Sequence, residues 1–181
     1  MHMVIRCIVY ATIREDALME AKSIFDSLCG DNGTFDYYHT FDDPGSPVSG
    51  RGRWGNIISA AKADSKEGKE LIKEGWDATE RDFQKAITRV RLIIKHLTDE
   101  QIMEEKIPDP VPDGLKELFS IRFYFNQIGE YRGSQIWLYD NDGNGIRTKH
   151  HLKNALEKWP TVSEGKYDHL NVWVVPTDVH Y

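Results

Sequence analysis

The sequence has no run of about 18 apolar residues, the length a membrane-spanning helix requires, and so it predicts no such helix and no membrane partner. Its first residues lack the charged, apolar and small-residue sections of a secretory signal, because Met3 to Ala11 has the composition of an ordinary strand. The expected location is the cytoplasm. Cysteine is scarce: Cys7 and Cys29 make at most one disulfide and lack the C-x-x-C spacing of zinc or redox sites, so both are read as reduced packing residues. His2-Met3 resembles the remainder of a cloning site, and His2 receives no functional weight. Positive charge is not in excess either. With 23 Lys+Arg against 29 Asp+Glu the formal net charge is −6, which disfavours a protein that coats duplex DNA or an anionic membrane but leaves room for a local basic loop. The P-loop spacing G-x-x-x-x-G-K-[ST] is absent, and Ser46 and Ser49 have no nucleophile context, so catalytic residues stay unassigned.

What is present reads as one α+β domain of 181 residues. Met3 to Ala11 is β-branched and nearly continuous in apolarity, as a central strand is. Thr12-Ile-Arg-Glu15 has the form of a capping box that starts a helix carrying Leu18, Ala21, Phe25 and Leu28, with Gly30 as a left-handed stop. After a turn at Asp31-Asn-Gly33, Phe35, Tyr37, His39 and Phe41 alternate with polar residues in a second strand. Residues 42–56 hold four glycines and two prolines, which predicts a long loop without regular structure. From Ser65 to Leu97, apolar residues such as Ile72, Trp76, Phe83, Val90 and Ile94 recur at helical steps, with Gly68 and Gly75 as breaks, and Thr98 to Gln101 caps a short helix to Lys106 before Pro108. Residues 42–118 thus form a mainly helical insertion.

Strands are expected to resume at Phe119 to Asn126 and at Gln135 to Tyr139 as an antiparallel pair, followed by a helix with Leu152, Leu156 and Trp159 ended by Pro160. The last strand is Leu170 to Val175, ended or placed at an edge by Pro176, with Asp178 and His180 in a frayed tail. The order suggests a ferredoxin-like α+β sheet, antiparallel or mixed, of about five strands with two crossover helices and a helical insertion between the second and third strands. If Ile5, Cys7, Val9, Ile136, Leu138, Val172 and Val174 point at the helices, then Arg6, Tyr10, Tyr38, Arg122, Tyr124, Asn126, Trp137, Tyr139 and Trp173 form a second, aromatic face. That face is either covered by the long helix or left partly open to stack bases.

The densest chemistry lies after the second strand: His39, Asp42, Asp43 and Gly50-Arg-Gly-Arg-Trp-Gly-Asn56. Glycines let backbone approach an anion, and guanidiniums donate two parallel hydrogen bonds to phosphate. The alternative is that Arg51 and Arg53 pair with Asp42 and Asp43. The leading expectation is a binding site, with processing left open as an extension, for a phosphate-bearing ligand such as a nucleotide, another anionic small molecule or a short single-stranded nucleic acid. It is formed by Arg51, Arg53, Trp54, Asn56, His39, Tyr38, Tyr139 and Trp137. A protein-protein or self-associating (homo-oligomeric) surface is the alternative, and a metal-dependent hydrolase the third reading. Asp140 to His151 shares the first, third and sixth places of a calcium loop but has His151 where a bidentate Glu is needed. No cofactor is expected. For a divalent metal, Asp42, Asp43, Asp140 and Asp142 are the candidates, without diagnostic spacing. His39, His150 and His180 could join them, Lys149, His150 and His151 could face the cleft beside the sheet, and His96 is a helix-surface residue.

Overall fold

In chain order, the computed structural model contains β1 (His2–Ala11), α1 (Arg14–Cys29), β2 (Tyr37–Thr40), α2 (Arg51–Trp54), β3 (Ala61–Lys62), α3 (Lys66–His96), α4 (Asp99–Met103), a 3-10 turn (Asp113–Leu115), α5 (Ile121–Gly129), β4 (Leu138–Tyr139), α6 (Lys149–Leu156) and β5 (Asn171–His180). It describes residues 1–30, 33–44, 46–116, 120–158 and 169–181. Asp31 and Asn32 of the expected turn, Gly45, Phe119, Trp159 and Pro160 lie outside the described residues. The chain divides into two compact units, Met1–Thr79 with Tyr131–Tyr181, and Glu80–Glu130. No described helix is long and apolar enough to cross a membrane.

The fold is α+β with a five-stranded mixed sheet. Its order is β2-β5-β1-β4, with β3 also pairing to β5. β5 runs antiparallel to β1, β2 and β3, whereas β4 runs parallel to β1. β1, α1 and β2 thus form a split βαβ unit with β5 between its strands, and the parallel β4 departs from the alternating directions of a ferredoxin-like sheet. Within 42–118, Ala61–Lys62 returns to the sheet as β3, so that segment is not wholly an insertion.

Pro176 neither ends β5 nor marks an edge: the strand continues to His180 in the middle of the sheet. The physical reason is in the register. Arg6 pairs with Pro176, yet the Arg6 amide donates to the Trp137 carbonyl on the opposite side, so the main-chain groups of this pair point away from each other. The donor that proline lacks therefore faces the other neighbour, where pairing jumps from Thr40↔Thr177 to Ala61↔Val174 and no ladder bond is required.

The sheet is covered on both faces. Met3, Ile5, Cys7 and Val9 of β1 pack with Trp173, Val175 and Val179 of β5 beneath Ala21, Phe25 and Leu28 of α1. On the other face Ile8, Tyr10, Leu138 and Val172 meet Trp76 of α3 and Leu152, Ala155 and Leu156 of α6, while Val174 meets Leu71. Of the two expectations for the second face, coverage by the long helix is met, through Leu71 and Trp76 of α3, and a partly open aromatic face is not formed. Cross-strand partners share a face, so Cys7↔Val175 and Val9↔Trp173 turn Trp173 inward under α1 and send Val172 and Val174 the other way, the inverse of the sequence assignment. Arg6 is buried on the face that α3 covers, its guanidinium 2.7 Å from Glu74 of that helix. Gly75 permits this approach: a Cβ there would sit 2.8 Å from Leu138 and 3.1 Å from the Arg6 side chain.

Local corrections have local causes. Gly68 and Gly75 do not break α3, which runs unbroken through both. The capping box at Thr12 is replaced by an Ile13 N-cap without a side-chain bond, because the Thr12 carbonyl accepts from Asn171 Nδ2 and is held to β5. Gly30 ends α1 at φ −91°, not left-handed. The α4 capping box at Thr98 forms as read. Residues 51–54 of the expected loop make one helical turn.

The strand read at 119–126 is α5. Apolar residues occupy both parities of that segment, so alternation and helical spacing fit equally, and burial decides. Ser120 caps the helix by accepting from the Phe123 amide, and Ile121 packs with Ile93, Leu97 and Leu115 in the core of the second unit. Arg122 pairs with Glu105 at 2.6 Å, and Tyr124 and Phe125 join that core. With no strand there, β4 pairs with β1 in parallel, not in an antiparallel hairpin.

Tyr10 gives the fold a pH limit. Its hydroxyl donates to the Ala155 carbonyl at 2.9 Å, and burial, then Asp140 and Asp142, push its pKa up to about 12. The folded state holds this proton more tightly than the unfolded chain, whose tyrosine titrates near 10. The contribution is complete below about pH 10 and is lost as the pH rises towards 12. Burial moves Tyr38 and Tyr139 in the same direction. The urea midpoint should fall steeply between about pH 9.5 and 11.5, and Tyr10→Phe should flatten part of that fall. An identical alkaline slope in the variant would refute the assignment.

Candidate functional site

Strand alternation assembles a cluster at one end of the sheet. β1 contributes His2, β5 contributes Asp178 and His180, and β2 contributes Tyr37 and His39, through the registers His2↔His180, Tyr37↔His180 and His39↔Asp178. Residues two apart in a strand share a face, so these five side chains lie together.

At its centre is Asp178, whose side chain has no solvent exposure. His2 Nδ1 lies 3.0 Å from both carboxylate oxygens, and the Gly50 amide donates to Oδ2 at 2.8 Å. An ionised carboxylate only accepts, so Nδ1 carries the proton in the neutral imidazole and Nε2 keeps a lone pair. The Tyr37 hydroxyl is 3.4 Å from that Nε2. A second imidazole-carboxylate pair stands beside the first, His180 Nδ1 with Asp36 Oδ2 at 2.8 Å. The rings interlock: Tyr37 stacks on His180 at 4.9 Å and 3°, and His2 meets His180 edge-on at 5.0 Å. Tyr37 also meets His39 edge-on at 5.7 Å. A histidine oriented by a buried carboxylate is the arrangement from which imidazole acts as a general base.

Gly50 links this cluster to the arginine turn. It is the N-cap of α2 at φ 53°, and Arg51 follows it directly. Gly55 closes the turn at φ 77°, and a Cβ on Gly52 would lie 2.1 Å from the Ser46 carbonyl oxygen. The glycines of this motif thus satisfy backbone packing. Arg51, Arg53, Trp54 and Asn56 are all exposed, and the Arg53 guanidinium lies 5.6 Å over the Trp54 ring.

The remaining sequence candidates lie elsewhere. Tyr38 faces α1, packs on Phe25 and donates to Asp26 at 2.7 Å. Tyr139 is fully buried and accepts from the Gly133 amide, and half-buried Trp137 packs against the α1 core. Those three rings do not join the Tyr37 cluster. Asp42 pairs with Lys22 at 2.9 Å instead of with an arginine, and Asp43 is exposed. Asp140 turns inward on its own loop, accepting from the Asp142 and Asn144 amides, and meets His151 Nε2 at 2.8 Å. Among the described residues, no three His, Cys, Asp or Glu side chains group as metal ligands.

Sequence reasoning passed over His2, Asp36 and Tyr37 and placed Asp178 in a frayed tail, where the structure has it within β5. Reading His2 as a cloning remainder set aside a β1 residue that pairs with His180 and binds Asp178. Treating Pro176 as a stop hid Asp178-x-His180 as alternate residues on one strand face. The polar alternation after Pro176 was the available signal.

A family model described as a domain of unknown function, DUF7995, matches residues 1–181. No curated protein and no solved structure matches the chain.

Proposed function

From the premise that the chain belongs to the DUF7995 family, we propose that it binds and processes a phosphate-bearing ligand of the nucleotide class where the His2-Asp178 pair adjoins the Arg51–Trp54 turn. One observation carries this reading: the same buried carboxylate orients His2 and anchors Gly50, the residue from which Arg51 departs. Arg51 and Arg53 supply forked donors for phosphate, and exposed Trp54 and Tyr37 supply faces for a base. As the oxygen of a water or hydroxyl bonds to phosphorus, His2 Nε2 takes its proton and Asp178 stabilises the imidazolium. The P–O bond to the leaving group breaks, and the imidazolium returns the proton to the departing oxygen. The free thiols Cys7 and Cys29 support a reducing, cytoplasmic setting.

A panel of nucleoside mono-, di- and triphosphates in a thermal-shift assay tests the binding step. A ligand at about 100 times its Kd adds about 2.7 kcal/mol of stability, enough for a shift of several degrees. The exposed pair Arg51→Ala/Arg53→Ala should lose this shift while keeping the unliganded midpoint. An equal shift in the double variant would remove the turn from the reading. A second reading rests on Val48, Trp54 and Ile58, three exposed apolar residues near the same turn: a self-association surface. It requires a solution size that grows with concentration, and a constant monomer in light scattering would exclude it.

A further inference from the structure

The charge of this protein is unevenly distributed. Residues 81–96 carry Arg81, Lys85, Arg89, Arg91 and Lys95 against the single carboxylate Asp82, a net +4 in a chain whose total is −6. At 100° per residue, the five cations fall within an arc of about 160° on α3, with rows of successive cations rising about 6 Å per four residues. Arg81, Lys85, Arg91 and Lys95 are exposed, and Arg89 is half-buried. A shallow groove of about 480 Å³ runs along this side, lined by Arg81, Gln84, Lys85, Thr88, Arg89 and Leu92. Asp82 lies 3.6 Å from Arg81 and 3.3 Å from Lys85.

We propose that this side of α3 is a track for the phosphate backbone of single-stranded nucleic acid. Charge complementarity selects a polyanion: a cationic arc on an otherwise acidic molecule attracts phosphates locally, while the remaining surface repels a broad anionic sheet. A lipid surface is disfavoured for a second reason. On the opposite side of the same helix, Val90 is buried, and Ile93 and Leu97 lie in its own unit's core with Leu115 and Ile121, so that apolar side is not free to enter a bilayer. The groove also holds the amide of Gln84, a hydrogen-bonding group suited to sugar and phosphate oxygens. This inference does not depend on the Arg51–Trp54 reading.

The test is fluorescence anisotropy of a short labelled oligothymidylate across a salt series. Each phosphate neutralised on a single strand contributes about −0.7 to the slope of log K against log salt. Replacing Arg81, Lys85 and Arg91 by Gln should reduce the slope by about 2 and weaken binding about tenfold or more at low salt, with the melting midpoint unchanged. The charge-keeping pair Arg81→Lys/Arg91→Lys should bind within about threefold of the parent. If the triple variant melts early, Lys85→Gln and Arg91→Gln alone carry the test, each lowering the slope by about 0.7. Absence of oligothymidylate binding, or an unchanged slope in these variants, overturns the proposal. So does equal capture by phosphatidylserine vesicles or polyglutamate, which assigns the arc to another anion. Oligothymidylate binding lost in Arg51→Ala/Arg53→Ala but kept in the α3 variants would also overturn this track, while leaving the nucleotide reading standing.

Discussion

Gly68→Ala is expected to lower the melting midpoint by roughly 6 to 12 °C, although alanine is the better helix former by about 1 kcal/mol. The sign is decided by space. A Cβ at position 68 would lie 1.9 Å from the Lys62 carbonyl oxygen and 3.0 Å from the Ala63 Cα, both backbone atoms that no rotamer change can move. Position 68 sits where α3 leaves β3, with the Gly68 amide accepted by Ser65 Oγ at 3.0 Å. To admit a methyl group, either the helix start or the β3 pairing to β5 must shift. Forced overpacking costs about 1 to 3 kcal/mol in tolerant cores, and a backbone obstacle belongs at or above the top of that range, outweighing the propensity gain. Gly129→Ala is the control: nothing lies within 4 Å of its Cβ, so it should be neutral or slightly stabilising. Calorimetry of both variants decides the matter. A Gly68→Ala protein that melts at or above the parent would show that α3 does not need this close approach.

Asp178→Ala is expected to cost about 3 kcal/mol and to release His2. Both donors aimed at the carboxylate lose their acceptor, and the Gly50 amide is left buried and unpaired, at about 1 to 3 kcal/mol for such a group. Asp178→Asn separates stability from orientation. Asparagine keeps the shape but offers one acceptor oxygen to two donors, so it should cost less stability while still loosening either His2 or the start of the arginine turn. Nitrogen chemical shifts of the His2 ring report the tautomer directly. The parent should show a protonated Nδ1 at neutral pH when uncharged, and the alanine variant should shift towards the Nε2-protonated form that free imidazole prefers. Denaturant midpoints and His2 shifts that are the same in all three proteins would dismiss Asp178 as an organiser of the cluster.

The relation between sequence and structure varies element by element. β1, α1 and α3 were legible because each carries a long, single-period apolar pattern that does not depend on its neighbours. The aromatic segment from Phe119 misled because its apolar residues satisfy two periods at once, and only burial against Ile93 and Leu97 selects the helix. β5 misled at Pro176, since a proline is excluded from a central strand only if its missing donor faces a paired neighbour, and that neighbour is interrupted there. The arginine turn was legible as a composition. Its connection to a histidine cluster was not, because His2 and Asp178 stand 176 positions apart in the chain.

By itself the sequence determined an α+β class, the extents of the long helix and first strand, the acidic balance and the Gly-Arg pattern, all of which follow from local propensity and periodicity. Tertiary structure alone decided which face each β5 residue takes, that both sheet faces are covered, and that a buried carboxylate joins His2 to the start of the arginine turn. Those features arise from strand register, and a shift of one residue in register exchanges the two faces of a sheet while leaving every local pattern intact.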